Sequence, residues 1–168
     1  MNEVIDLPCQ VESFAGLSAE LLRLGKAVRF KARGSSMRPL VRDGDILLVK
    51  PLESSPPRIG EIVLCSHARD RVVVHRVVRL RAREGEMSCL VQGDQSFAPD
   101  GWIPRALIYG RVVAIERGDK RMDLRRPLAR LAGRLAALRT LLRLGQKPLM
   151  SSTIRVLKKI PVFSVLFS

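Results

Sequence analysis

Polar side chains of the types that a hydrolytic triad needs occur in this chain in the order serine, histidine, aspartate. Ser36 lies in the loop Gly34–Pro39, just before an apolar strand, and His75 stands later inside a β-branched run. Asp94 and Asp100 follow in one polar loop. A serine hydroxyl alone is a poor nucleophile and needs a base, which in turn needs a group that orients it. The residues therefore predict hydrolysis by a serine nucleophile.

Each of these residues also has an ordinary structural explanation. Ser36 could be a turn serine that bonds its own backbone, and a histidine on an apolar strand is often a satisfied structural residue. Period-2 alternation places His75 on the same strand face as Val73 and Val77, so that its imidazole would be partly buried. Such a group can act as a general base near neutral pH. Either Asp94 or Asp100 could orient it, and each could equally be a turn residue.

Small residues around the candidate nucleophile fit an oxyanion site. Gly34 would let backbone N–H groups approach a carbonyl closely, and we expect the Ser36 N–H and a donor near Gly34 or Ser35 to face the oxyanion. Met37 is predicted beneath the nucleophile or, with Pro39, in the substrate pocket. A plain core position is the alternative for Met37.

The apolar pattern predicts a mainly β fold. Between residues 27 and 124, about seven short strands separated by turns favour a folded-over or barrel-like antiparallel core. One short helix is predicted before this core, with an apolar face that comprises Phe14, Leu17, Leu21 and Leu24. The predicted division is a helical segment 1–26, a β core 27–124 and a basic tail 125–168.

Positive charge is concentrated in the tail. The net charge of the 168 residues is +14, and residues 121–159 hold eleven Lys or Arg against one acidic residue. Such a tail is attracted to polyanions, either an anionic membrane face or nucleic acid. Aromatic residues make up only 4% of the chain, and single-strand binders rely on aromatic stacking. A nucleic-acid partner is therefore not expected.

A leucine stripe predicts that the tail begins with a helix. Its residues recur at spacings of three and four, which is one face of a helix; they are Leu124, Leu128, Leu131, Leu135, Leu138 and Leu142. Residues 154–159 follow as a basic amphipathic segment and residues 160–167 as a short apolar one. The helix could lie on anionic lipid, cover a patch of the core or bind a partner, and the sequence leaves these three alternatives open.

Neither a metal nor any other cofactor is predicted. The chain has two histidines and three cysteines, without a Cys-x-x-Cys motif, which argues against a zinc site. Cys65 and Cys89 lie in strand-like runs and are predicted to be small core residues, while Cys9 lies near the N-terminus. An odd number of scattered cysteines predicts a reducing compartment. With no signal peptide and no run of about 18 apolar residues, the chain is expected to be cytoplasmic or peripherally membrane-associated.

Five motifs, in order, resemble the signal peptidase I superfamily, which also includes the LexA-type self-cleaving proteases. Ser36-Met37-Arg38-Pro39 is similar to the family's Ser-Met-x-Pro box. Asp43–Asp45 and the apolar strand after it continue this first motif, and the later motifs are Arg58–Val63, His75–Val78, Gly93-Asp94 with Asp100, and Tyr109–Val112. A histidine at position 75, where bacterial signal peptidases have lysine, resembles the endoplasmic-reticulum and archaeal-like branch. The usual members carry an N-terminal membrane anchor, and the apolar pattern of this sequence leads us to expect none here.

The resemblance implies a folded-over β core and a role for each motif residue. His75 would be the base, Asp100 the third triad member and Asp94 a supporting residue. It also implies an extended peptide substrate with a small residue before the cut. The prediction is a serine endopeptidase of signal peptidase I type that cleaves precursor or leader peptides. The alternative is a non-catalytic LexA-like β module that acts in protein binding or regulation.

Overall fold

The computed structural model describes residues 4–6, 11–52, 55–67 and 71–145. Cys9 and the tail segments 154–159 and 160–167 lie outside these residues. The described elements are β1 (Val4–Asp6), α1 (Val11–Arg23), β2 (Ala27–Lys31), β3 (Ile46–Pro51), β4 (Ile62–His67), β5 (Arg71–Arg83), β6 (Glu86–Gln92), β7 (Gly101–Pro104), a 3-10 helix (Arg105–Leu107), β8 (Ile108–Arg117), β9 (Lys120–Asp123) and α2 (Pro127–Gly145).

The described strands form one large sheet, which confirms the mainly β prediction. Their order is β1-β2-β3-β8-β4-β5-β6-β7, and β9 pairs with β8. The β1–β2 pair is parallel, whereas the remaining pairs in this order are antiparallel. The sheet is therefore mixed, with an antiparallel body and one parallel strand at its edge.

Strand β4 shows why the central strands have continuous apolar sequences. Ile62 and Leu64 contribute to the main core cluster, whereas Val63 and Cys65 contribute to a second cluster. Successive side chains of a strand point to opposite faces, so both faces of β4 are covered. Each fully buried aliphatic side chain of this kind contributes about 1.5–3 kcal/mol relative to an exposed one.

Two strands were not predicted from the sequence. Strand β7 contains a glycine and a proline, which weaken any strand pattern, and it is held by pairing with β6, where Ile103 lies opposite Cys89. Strand β1 has only three residues and pairs with β2. Each of these strands is held by a partner beyond an intervening loop or helix, so its own local alternation could not reveal it.

Helix α1 corresponds to the predicted N-terminal helix and ends as its sequence indicates. Gly25 follows it with a φ of +79°, and the Lys26 N–H donates to the Leu21 carbonyl at 2.9 Å. A glycine in this conformation is a common helix terminator. Leu22 is 2% exposed in the main core, and the Phe14 and Phe30 rings meet edge to face with centroids 4.8 Å apart.

Helix α2 docks on the core through small residues rather than through its leucines. Gly133, Ala137 and Thr140 are buried, whereas the leucines of the stripe are 51–81% exposed; they are Leu128, Leu131, Leu135, Leu138 and Leu142. A Cβ at Gly133 would stand 2.7 Å from the Gly60 carbonyl oxygen. This close approach of the helix backbone to the turn before β4 leaves no space for larger side chains. Leu124, the sixth leucine of the predicted stripe, is partly buried against the main core. Helix α2 therefore covers part of the core, but not through these five leucines.

Among the described residues, no helix has both the length and the apolar character needed to cross a bilayer.

Candidate active site

Ser36 lies in a turn that links β2 to β3. The base of this loop is closed by two backbone hydrogen bonds, from the Ala32 N–H to the Asp45 carbonyl at 2.7 Å and from the Gly44 N–H to the Ala32 carbonyl at 3.0 Å. Gly34 has a φ of +97°, a conformation that glycine adopts without a steric penalty. Its N–H donates to Asp43 Oδ1 at 2.8 Å, so the loop is also braced from within.

A buried carboxylate fixes this turn to the sheet. Asp45 is 3% exposed and accepts hydrogen bonds from the Arg42 N–H at 2.8 Å and from Arg117 Nε and Nη2 at 2.8 and 2.7 Å. Arg117 Nη2 also donates to the Leu40 carbonyl at 3.0 Å. The hydrogen bonds from Arg117 are the main reason that the pKa of Asp45 lies below its ordinary value. The Asp45–Arg117 ion pair therefore braces residues 40–45, the segment that joins the Ser36 turn to β3.

His75 connects Ser36 to a carboxylate. The histidine lies on β5 opposite Val63 of β4 and is 8% exposed. Its Nε2 lies 3.0 Å from Ser36 Oγ, and its Nδ1 is hydrogen-bonded to Asp100 Oδ2. An ionised carboxylate can only accept, so the proton of a neutral imidazole lies on Nδ1. Nε2 is then free to accept the hydrogen bond of the Ser36 hydroxyl.

Asp94 and Asp100 have different partners, although they lie in the same loop. Asp100 bonds His75, whereas Asp94 forms a bidentate pair with Arg76, with Oδ1 2.7 Å from Nε and Oδ2 2.6 Å from Nη2. Asp100 therefore contacts His75, and Asp94 contacts Arg76, which is the next residue of β5. Of the two aspartates that the residue pattern left as candidates, Asp100 is the one that contacts His75.

The loop that contains both aspartates is tied directly to Ser36. The Gln95 N–H donates to the Ser36 carbonyl at 2.8 Å, and the Asp100 N–H donates to the Val91 carbonyl at 3.0 Å. Gln92, which is 2% exposed, donates from Nε2 to the Ser96 carbonyl at 2.7 Å. These bonds fix the distance between the turn of Ser36 and the strand end that carries Asp100.

Arg76 and Gln92 support the site, and sequence analysis assigned no role to either side chain. Arg76 is 2% exposed and donates from Nη1 to the Gly60 carbonyl at 2.8 Å. A signal was present in the sequence, because an arginine inside an apolar strand requires a carboxylate partner. Asp94 was the available candidate. Gln92 ends a short strand and gave no comparable signal.

Two backbone N–H groups at the candidate nucleophile have no acceptor among the described residues. The Gly34 N–H is engaged by Asp43, so Gly34 contributes its backbone conformation rather than a donor. No described residue accepts a hydrogen bond from the N–H of Ser35 or of Ser36. The N–H groups of Ser35 and Ser36 are therefore candidate donors to an oxyanion formed at Ser36.

Met37 and Pro39 differ in exposure. Met37 is 4% exposed and belongs to the main core cluster, which is the alternative that sequence analysis kept for it. It packs under the turn and presents almost no surface to a substrate. Pro39 is exposed and is the one of the two with a surface that a substrate could contact.

The described cysteines are inert core residues. Cys65 and Cys89 are both fully buried. Burial, with a further effect of the nearby Asp100 carboxylate, raises the pKa of Cys65 to about 12, and burial raises the pKa of Cys89 to about 11. Thiols with such pKa values are protonated at neutral pH and are poor nucleophiles. In the part of the chain that the structure describes, no group of three or more His, Cys, Asp or Glu side chains is placed to hold a metal ion.

Comparison with known proteins gives two findings. A family model described as Peptidase S24-like matches residues 9–99, which is more than half of the chain and includes Ser36 and His75. The chain is also similar to the signal peptidase complex catalytic subunit SEC11C of Homo sapiens, Mus musculus and Canis lupus familiaris, with 30% identity over 86 residues in each case. The similarity covers 45% of this chain and 45% of each relative, so the chain matches less than half the length of these curated relatives.

Proposed function

Because this chain belongs to the Peptidase S24-like family, we propose that it is a serine endopeptidase of the signal peptidase I type. Its substrates would be precursor or leader peptides. The observation that carries the proposal is the continuous hydrogen-bonded path from Ser36 Oγ through the His75 imidazole to Asp100. A module that only binds a partner has no need of a serine hydroxyl, an imidazole and a carboxylate aligned in this way.

In the proposed mechanism His75 is the general base. Nε2 takes the proton of the Ser36 hydroxyl while Oγ attacks the peptide carbonyl carbon, and the carbonyl π electrons move to oxygen. The N–H groups of Ser35 and Ser36 stabilise the resulting oxyanion. Asp100 keeps His75 in the required tautomer and stabilises the imidazolium without taking its proton.

Collapse of the tetrahedral intermediate completes the first half of the reaction. The C–N bond breaks, the leaving amine takes the proton from His75 Nε2, and an ester joins the substrate acyl group to Ser36 Oγ. Water then attacks this ester, with His75 again accepting a proton. The Ser36–acyl bond then breaks, Ser36 Oγ takes the proton from His75 Nε2, and the new carboxyl terminus is released.

Similarity to a signal peptidase complex catalytic subunit supports a precursor as the substrate. The family resemblance further implies that the peptide binds in an extended conformation with a small residue before the cut. Ser36 is exposed, so a peptide can approach its hydroxyl from solvent, while His75 and Asp100 are shielded. A nucleophile must be accessible to the substrate, whereas a general base and its carboxylate partner interact more strongly when they are shielded from water.

The test compares wild type with Ser36→Ala and His75→Ala on a degenerate library of synthetic peptides, with cleavage read by mass spectrometry. Removal of either residue should lower kcat/KM by about 10⁴–10⁶. Ser88→Ala, which changes a serine of β6 outside the site, is the matched control and should cleave like wild type. Equal cleavage by the wild type and both site variants would contradict the proposal.

A further inference from the structure

Helix α2 has two opposite faces with different functions in packing. Gly133, Ala137 and Thr140 form the face buried against the core. The leucine stripe, here defined as Leu128, Leu131, Leu135, Leu138 and Leu142, is 51–81% exposed. At 3.6 residues per turn the two faces are centred about 180° apart. The leucine stripe therefore points directly away from the catalytic core.

Arginines border the leucine stripe on both sides. Arg130 and Arg134 project on one side of it, and Arg139 and Arg143 on the other, because of their positions in the helical repeat. No acidic residue occurs between Leu124 and Gly145. Arginine can bury its methylene stem along an apolar surface while its guanidinium reaches a polar layer. When such a helix lies on an anionic bilayer, its apolar strip can enter the acyl boundary while the arginines on both sides meet the headgroups.

Five neighbouring exposed leucines also need an explanation. Single exposed apolar residues are common on protein surfaces, whereas a contiguous apolar strip marks an interaction site. From this geometry we propose that α2 is an interfacial helix whose leucine stripe inserts into the headgroup region of an anionic lipid surface. This proposal is independent of the proposed peptidase activity and concerns a different face of the molecule.

Charge complementarity favours lipid over the other possible occupants. In a dimer formed through the stripe, the arginine rows of two copies would meet with no acidic residue between them. In a complex with nucleic acid, the arginines could contact phosphates, but the leucines at the centre of the surface would gain nothing. Anionic lipid satisfies both groups, since apolar insertion and headgroup attraction act together.

Helix α2, whose outer face carries the leucine stripe, packs beside the candidate active site. Arg143 donates from Nη1 to the Asp94 carbonyl at 3.2 Å, and α2 contacts β5, which carries His75. Binding of the leucine stripe to a lipid surface would thus hold the loop of Asp94 and Asp100 in a fixed position relative to that surface. The membrane would then orient the whole core without a spanning segment in α1 or α2.

The experiment tests flotation of the full chain with two kinds of vesicle. One is phosphatidylcholine alone, and in the other about a third of the lipid is phosphatidylglycerol. Wild type should float with the anionic vesicles and remain at the bottom with the neutral ones. The triple variant Leu131→Gln/Leu135→Gln/Leu138→Gln should lose on the order of 100-fold in partition coefficient. High salt should weaken wild-type binding, because headgroup attraction is screened.

A matched control replaces three exposed leucines outside α2. Leu24, Leu80 and Leu107 are 68%, 37% and 39% exposed, and their triple change to Gln should leave flotation unaltered. Thermal melting and the single variant Leu135→Gln separate loss of binding from loss of folding. Since Leu135 is 51% exposed, this single variant should keep its Tm and still bind less.

Four outcomes would overturn the proposal. The first is a wild type that stays unbound with anionic vesicles, and the second is a folded triple variant that floats like wild type. The third is a dimer, seen by sedimentation equilibrium, that dissociates in the triple variant while vesicle binding is absent. The fourth is retention on duplex DNA that the triple variant loses while no protein floats.

Discussion

The backbone of Gly93 lies against the imidazole of His75. A Cβ at residue 93 would stand 3.0 Å from His75 Nε2, 2.9 Å from the Ser36 carbonyl oxygen and 2.6 Å from Ser96 Oγ. Gly93 is not among the glycines with positive φ, so its requirement is steric rather than conformational. The absence of a side chain is what allows the loop after β6 to close over the Ser36–His75 hydrogen bond.

Gly93→Ala should therefore lower activity without unfolding the protein. The methyl group must displace either the Ser36 backbone or the imidazole, and errors of about 1 Å in a reacting geometry cost on the order of 100-fold in rate. The measurement is kcat/KM on a peptide that wild type cleaves, with far-UV circular dichroism as the test of folding. Gly16→Ala is the control, because nothing lies within 4 Å of that position. Wild-type activity in Gly93→Ala would show that the close contact is not needed.

Asp100→Asn should reduce kcat far more than it reduces stability. An amide carries no charge with which to stabilise the imidazolium, and it can donate to His75 and thereby favour the wrong tautomer. A loss of about 10⁴ in kcat is expected, with KM little changed. Single-turnover kinetics at saturating substrate measure this step. A kcat within a few-fold of wild type would mean that the Asp100–His75 bond plays no part in proton transfer.

The residue pattern alone selected Ser36, His75 and two candidate aspartates, and only the family resemblance implied that Asp100 rather than Asp94 pairs with His75. Loop position, strand alternation and motif order selected the serine, the histidine and two aspartates. The choice between Asp94 and Asp100 depended on which face of β5 each loop carboxylate meets. Arg76, on the face opposite His75, engages Asp94 and leaves Asp100 for the histidine. Such a choice depends on loop geometry, which residue spacing does not specify.

Helix α2 illustrates a second limit of prediction from the sequence. Its periodicity identified an apolar face correctly, but apolar periodicity normally marks the buried face. Here backbone contact between Gly60 and Gly133 decides which face docks, and that contact depends on a distant partner. The mainly β class was predictable because β4, β5 and β8 have strong local patterns. Strand β7, with its Gly and Pro, depends on β6 for its structure.

Arg76→Met should destabilise the fold through the partner that it leaves behind. The side chains of Arg76 and Asp94 are 2% and 11% exposed, and the loss of one partner from a buried ion pair costs about 3–5 kcal/mol. Urea denaturation should show this loss, and Arg76→Met/Asp94→Ala should recover part of it because no buried charge is then unpaired. Arg83→Met, on an exposed residue of the same strand, should change stability by less than about 0.5 kcal/mol. A double variant less stable than Arg76→Met would argue against this account.

Because of Asp45, the free energy of unfolding should depend on pH in the acidic range. Its pKa in the folded state lies below the ordinary value of 3.8, chiefly because of hydrogen bonds from Arg117. The folded state therefore binds this proton less tightly than the unfolded state. The contribution of Asp45 to stability is fully present at pH values above the ordinary pKa, and it is lost as the pH falls through the lowered pKa.

Asp45→Asn should accordingly lower the Tm by several degrees at pH 7, and the difference from wild type should narrow as the pH falls from about 5 to about 2. Differential scanning calorimetry across this range measures both quantities. Asp119→Asn, at an exposed turn residue, is the control and should give a small difference at every pH. If the gap between wild type and Asp45→Asn stayed constant or widened in acid, the Asp45–Arg117 pair could not be the cause of the stabilisation.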